Sequence, residues 1–309
     1  MIIDRNLIPV LGPLKLSALT TKRIRAALDR LASGERLDRH GERAKPLGSA
    51  TVAMCRSVLS NALADAVEDG LISSNPAAQL KRAATSTATP KDRALSDDEL
   101  RALVAAALKY DRTRPDDEHS AVAPLAALLI MGLRISEALA VRWADVSLAH
   151  GVLTVSGNLY RERIPGDGRK DRTYGHPRIL RGEPKTARSR RTIALPASIL
   201  AILAEHHVRQ NEHRARVGVW GGSDAVCASP IGTWTDDSAA RKRLGLVGNS
   251  AGIDNLHPHL LRHSAASMAV QDGAPLAHVS GELGHSNISM TSDRCRPTDR
   301  IAWRDCPGR

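Results

Sequence analysis

The stretch 83–94 (AATSTATPKDRA) divides the chain in two. It is small, polar and Pro-containing, the composition of a linker and not of a packed element. Directly after it, Ser96-Asp97-Asp98-Glu99 has the S-x-x-E spacing of a helix capping box and runs into the apolar LRALVAAAL. A chain of 309 residues is long enough for two cores. The expected organisation is a small domain over 1–82, a linker over 83–94 and a larger domain over 95–309.

Hydrophobic periodicity makes the first part helical. Thr20 or Thr21 can cap a helix with Ile24, Leu28 and Leu31 at helical spacing. The polar, Gly-containing stretch 33–49 reads as a loop. A second helix starts near Ser49, with Val52, Val58, Leu59, Leu63 and Val67 on its apolar side. Gly70 can end it, and Asn75-Pro76 marks a turn. The second part is expected to be helical over 96–110 and 119–140, and again over 197–215, 236–244, 259–273 and 275–283. Between them, 152–155 and 191–195 are β-rich or alternating. The intervening 158–191 holds eleven basic and four acidic residues. The simplest arrangement is a hairpin with a long basic excursion. The fold class is thus mainly α, with an α+β second domain containing a small antiparallel sheet.

The formal net charge is +11, which suits a polyanionic partner. Phenylalanine is absent and aromatics are 2%, so the core must be aliphatic and little is left for the base-stacking platforms of single-strand binders. The cysteines at 55, 227, 295 and 306 have no CxxC spacing, which suggests neither zinc nor a redox pair. No signal peptide is visible. The longest apolar run, Ala121 to Leu133, is interrupted by Pro124 and is too short to span a bilayer. The expectation is a cytoplasmic protein without membrane contact.

Four segments of the second domain carry candidate chemistry. In Gly132-Leu133-Arg134-Ile135-Ser136-Glu137, a lone arginine in an apolar helix needs an anion or a partner, and Glu137 could be that partner. In Pro184-Lys185-Thr186-Ala187-Arg188-Ser189-Arg190-Arg191, Lys185 at a hairpin tip could supply a mobile charge and a proton, or the loop could simply be solvated. In His257-Pro258-His259-Leu260-Leu261-Arg262-His263, positions 259 and 262 share a helix face and could grip a phosphate, or could belong to an exposed helix start. No carboxylate or cysteine set completes a metal site around these histidines. In Leu283-Gly284-His285, the histidine follows a helix end, where it could act or merely cap.

Each segment alone is weak, but their order and types are specific. GLRISEAL, PKT-x-RSRRTIAL, H-x-L-R-H and LGHSNISMT together resemble the tyrosine recombinases of the phage-integrase family, with similarity over roughly 10–295. The resemblance implies a helical core-binding domain and a catalytic domain forming a C-shaped clamp around double-stranded DNA. It implies a homo-tetramer on two DNA sites, and no metal, cofactor or small-molecule substrate. Arg134 and Arg262 would clamp the scissile phosphate. Lys185 would protonate the leaving 5′-oxygen, His259 would move the nucleophile's proton, and His285 would bond the phosphate. Lys22, Arg23 and Arg25, Arg188 and Arg190, and Arg241, Lys242 and Arg243 would line the DNA.

Two features depart from the pattern. The nucleophilic tyrosine should lie ten residues after His285, and Cys295 stands there. Tyr110, Tyr160 and Tyr174 all precede Arg262 and cannot replace it. The ending RPTDRIAWRDCPGR is also unlike the family, and three readings stay open: a single Tyr-to-Cys substitution, a frameshift that replaced the tail, or Cys295 as a working nucleophile. The expectation is a recombinase impaired by loss of its tyrosine; the alternative is an inactive DNA-binding remnant or regulator. Leu260 occupies a position that is usually acidic. The opening MIIDRNLIPVLG leaves no room for the arm-binding domain that many integrases carry, so the expectation is either a minimal form or a true start upstream.

Overall fold

A computed structural model describes residues 2–35, 44–78, 80, 93–114, 119–162, 178–183, 190–271 and 273–274. The chain forms two compact units, Met1–Lys91 and Asp92–Arg309. The mainly helical class with a small antiparallel sheet is the class observed.

The first unit opens with a π-helical turn over Ile3–Leu7 that runs into α1 (Ile8–Leu11). Neither was expected. No side chain caps them, and Pro9 is tolerated because it lies in the first turn of α1. Leu7 and Leu11, one turn apart, bury against α2 (Thr21–Ser33) and α3 (Ser49–Glu68). Thr20 caps α2 by accepting from the Arg23 N–H at 3.3 Å. The expected stripe of Ile24, Leu28 and Leu31 is its buried side. On α3 the fully buried positions are Cys55, Leu63 and Ala66, whereas Val52, Val58 and Leu59 are only partly covered. The Asn75-Pro76 turn is tied to both helices. The Asn75 amide donates to Ser60 O at 2.9 Å, and Thr21 Oγ1 donates to Pro76 O at 2.8 Å.

The second unit starts at α4 (Asp97–Arg112), where the capping box forms in both directions between Ser96 and Glu99. α5 (Val122–Ile130) is buried almost throughout and packs against α4 and against the later helices α7 (Ala197–Val217), α8 (Asp237–Ser250) and α9 (Pro258–Gln271). The Asp111 carboxylate, at the end of α4, accepts from the Val122 and Ala123 N–H groups and so caps α5. α8 continues past the expected end at 244. Gly248 sits inside it because a Cβ there would stand 2.5 Å from Leu256 Cβ.

The single helix expected over 119–140 is broken. Gly132 takes φ 83°, its N–H donates to Leu129 O, and the Leu133 N–H donates to Leu128 O. This double bond pattern is a Schellman stop. It ends α5, and a one-turn helix α6 (Ile135–Ala138) follows, with Arg134 as its extended N-cap. Apolar composition alone suggested continuity, whereas the glycine permits the reversal. Gly132→Ala is expected to cost about 1–2 kcal/mol, the strain of a left-handed non-glycine residue. Chemical denaturation checks this, and unchanged stability would mean the turn relaxes.

The strands form β1 (Val146–Ser147), β2 (Val152–Val155) and β5 (Arg191–Ala194) in the order β1-β2-β5, all antiparallel. The expected pairing of 152–155 with 191–195 holds in register, with Leu153 opposite Ile193 and Val155 opposite Arg191. The intervening stretch is not one open excursion. It starts and ends as a second ladder, β3 (Asn158–Glu162) with β4 (Arg178–Gly182). Arg181 anchors that ladder by donating to Ala140 O, Ser156 Oγ and Asp145. Among the described residues no helix is long and apolar enough to cross a membrane.

Candidate functional site

The break after Gly132 decides where Arg134 lies. Arg134 does not ride on an apolar helix. As the N-cap of α6 it projects from the reversal, with its side chain 41% exposed. Glu137 lies three residues on, where the first turn of α6 folds its carboxylate back. Its Oε2 accepts from the Arg134 N–H at 2.9 Å, and Oε1 accepts from Arg134 Nη1 at 2.8 Å. The partner suggested by the sequence is therefore real, and the arginine stays half open to solvent.

Arg262 reaches the same loop from α9. It is 4% exposed, and its Nη1 donates to Gly132 O at 2.5 Å across 130 residues of sequence. Leu260 and Leu261 beside it are buried in the core, whereas His259, one turn earlier, is exposed. Burial pushes the Arg262 guanidinium down to about 9; Arg134 and Arg191 push the same way and Glu137 opposes them. A cation held at such a cost gains from any anion that comes within reach. Leu260 is buried, and its N–H donates to His257 O. Ser264 Oγ, on the same helix, accepts from the Leu95 N–H at 2.8 Å and fixes α9 to the start of the unit.

Arg191 was not singled out by sequence reasoning. It opens β5, and its Nη2 donates to Glu137 Oε2 at 3.0 Å with its side chain 10% exposed. The available signal was the strand alternation. Arg191 shares the inward side of β5 with Ile193, while Thr192 and Ala194 face out. An arginine on that side requires an anion. Burial pushes the Glu137 carboxyl up, but hydrogen bonding and charge from Arg191, then Arg134, outweigh it and hold Glu137 below the usual carboxylate range. The result is a carboxylate enclosed by arginines from a loop and a strand, with a third arginine from α9 beside them.

Of the remaining expected residues, Lys185, Arg188, His285 and Cys295 lie outside the described residues. Arg190 is exposed just before β5. Lys22, Arg23 and Arg25 are exposed on α2 of the first unit, where Arg23 donates to Ala18 O at 3.0 Å. On α8, Arg241 pairs with Asp237 at 2.8 Å and Lys242 is exposed. Arg243 is half-buried, and its charge is felt by buried His119.

That histidine belongs to a second polar cluster, away from the arginines. The His119 ring stacks on His213 at 5.0 Å and lies 5.3 Å from His206. His206 and His213 share one face of α7, and each bonds a backbone carbonyl through Nε2, Val226 O and Pro230 O respectively. Among the described residues no group of three or more potential ligands could hold a metal ion.

The phage integrase family model matches residues 93–296. The chain is 29% identical over 257 residues to a XerC-like tyrosine recombinase of Caldanaerobacter subterraneus subsp. tengcongensis, covering 79% of this chain and 61% of that protein. It therefore spans about three fifths of that relative's length. A tyrosine recombinase XerC of Chlorobaculum parvum is 28% identical over 293 residues, covering 90% of this chain and 76% of the relative. Among solved structures, the Tn1549 transposon integrase in complex with transposon right end DNA superposes with TM-score 0.64 at 18% identity, covering 93% of this chain and 84% of that one. A lambda integrase dimer bound to a COC′ core site gives TM-score 0.59 at 17% identity, covering 98% and 91%. At these identities the structural likeness concerns the fold.

Proposed function

The chain belongs to the phage integrase family, the tyrosine recombinases, and from that premise we propose that it binds duplex DNA as a site-specific recombinase whose strand-cleaving step is impaired at position 295. The observation that carries the reading is the convergence of Arg134 and Arg262. They come from distant segments, meet around the Gly132 reversal and lie within range of each other's charge. Such a pair suits the non-bridging oxygens of a phosphodiester.

In the proposed reaction the nucleophile attacks the scissile phosphorus, a bond to phosphorus forms, and the bond to the 5′-oxygen breaks. Lys185 supplies the proton to that oxygen, and His259 accepts the proton of the nucleophile. His285 bonds a phosphate oxygen. Arg134 and Arg262 stabilise the charge that develops as the phosphorus becomes five-coordinate. With Cys295 the attacking atom would be sulfur on a side chain shorter than tyrosine by a ring, which leaves it several Å short of a tyrosine-shaped attack. The family's assembly, four copies on two DNA sites, is proposed with it. Contacts from Lys22, Arg23, Arg25, Arg188, Arg190, Arg241, Lys242 and Arg243 would position the duplex without reading sequence.

The test uses a site selected from a random-sequence duplex pool by binding, then rebuilt as a nicked suicide substrate. The native chain is expected to bind with a steep salt dependence, losing roughly a thousandfold in affinity between about 50 and 200 mM salt. It is expected to leave no covalent adduct, and Cys295→Tyr to form one. An adduct on the native chain would overturn the impaired reading. Salt-independent or absent duplex binding would overturn the DNA reading itself. Binding without an adduct in either protein would favour a DNA-binding remnant with wider damage to its tail.

A further inference from the structure

A carboxylate is an awkward neighbour for a phosphate site, yet Glu137 is nearly buried between two of the arginines. Building on the phosphate reading above, we infer that Arg191 is a positioning residue that holds and neutralises Glu137, so that the carboxylate does not cancel the positive charge that Arg134 and Arg262 present to a phosphate. Arg191 is well placed for this. It is fixed in the β2–β5 ladder opposite Val155, so its guanidinium is presented by a strand and not by a mobile loop. It takes the same Oε2 that accepts the Arg134 N–H, while Oε1 receives Arg134 Nη1. Both carboxylate oxygens are thereby turned inward.

Charge decides what this arrangement favours. Within this cluster Arg191 offsets the charge of Glu137. A phosphodiester carries one negative charge, and the five-coordinate species formed on attack carries two. Positive charge kept at the site therefore favours the second over the first, as transition-state stabilisation requires. Without Arg191 that charge falls by one unit. With Glu137 neutral it rises by one. With both neutral it is unchanged. Affinity for a dianion should follow this change in charge and not the number of contacts.

The probe is inorganic phosphate, a dianion near pH 8, titrated calorimetrically into the full chain at low salt. Arg262→Gln defines binding elsewhere on this basic protein. Relative to the native chain, Arg191→Gln should bind roughly tenfold more weakly and Glu137→Gln roughly tenfold more tightly, the scale of one unit charge in a partly solvated site. Arg191→Gln combined with Glu137→Gln should return to within about threefold of native, as should Arg191→Lys. A purely structural salt bridge predicts instead that Glu137→Gln weakens binding and that the double change does not recover. Either result overturns the proposal. If Arg191→Gln fails to fold, Glu137→Gln and Arg191→Lys still decide, because one must tighten and the other must hold. The expected phosphate pattern in a chain that ignores duplex DNA would overturn the recombinase reading and leave the charge arrangement standing. Duplex binding without the pattern would do the reverse.

Discussion

Lowering the pH from about 7 to about 5 is expected to cost the larger unit about 4 kcal/mol of stability through two buried histidines. His119 is pulled down to about 3 by burial, then by the charges of His206, His213, Arg209 and Arg243. His206 is pulled down to about 4, mainly by burial, with Arg209 and His207 adding to it and the bond to Val226 O and the charge of Glu205 opposing. A histidine depressed in this way stays neutral in the fold while the unfolded chain takes up a proton. Its contribution is intact above the unfolded value of 6.5 and drains as the pH falls below it, until the folded value is reached. Each histidine then costs about 2 kcal/mol at about pH 5, which together lowers the melting temperature of a unit this size by roughly 10 °C. The carboxylates held low by arginines, Glu99 and Glu137 among them, lose their contribution only below about pH 4.5. Asp111, pushed up by burial, takes its proton first in the fold and works against the loss. Thermal unfolding across this range, compared with His119→Gln and His206→Gln, isolates the histidines. Glutamine at 206 can still donate to Val226 O, so the double change should flatten the profile. A native profile already flat between these pH values would sink the prediction.

Those histidines show where sequence reasoning stops. His206 and His213 stand seven apart, so the sequence places them on one face of a helix. Nothing in it announces that His119, far upstream, stacks on His213 and lies beside His206. The arginines were easier. Arg134 and Arg262 emerged because motif order carries information that single residues lack. The capping box at Ser96 and the pairing of 152–155 with 191–195 were readable because local chemistry determines them. The break at Gly132 was not, because an apolar run of this kind looks continuous until a glycine actually adopts positive φ. Arg191 was hidden differently. It sits in a run of basic residues where each looks solvated, and only the inward alternation shared with Ile193 sets it apart. The β3–β4 ladder was missed because long-range pairing is invisible to periodicity once charge dominates composition.

Removing the carboxylate altogether should produce the other large effect. Glu137→Ala is expected to destabilise the second unit by about 3–5 kcal/mol, the usual cost of leaving a buried partner charge uncompensated. The loss has three parts. Arg191 remains largely buried with the Glu137 carboxylate gone, Arg134 loses the carboxylate that accepts from both its Nη1 and its backbone N–H, and the charge on Arg262 loses the offset that Glu137 gave. The first turn of α6 depends on that backbone bond, so the Gly132 reversal should loosen with it. Glu137→Gln keeps the shape and one acceptor oxygen and should cost less. Urea unfolding measures both, and the recovery on adding inorganic phosphate distinguishes the cause. If the damage is unpaired positive charge, an external dianion replaces the missing carboxylate and restores part of the stability of Glu137→Ala while doing less for the native chain. If the damage is lost packing, phosphate helps both equally. A destabilisation below about 1 kcal/mol would place the pair among ordinary surface bridges and remove the reason for a glutamate in a cationic site.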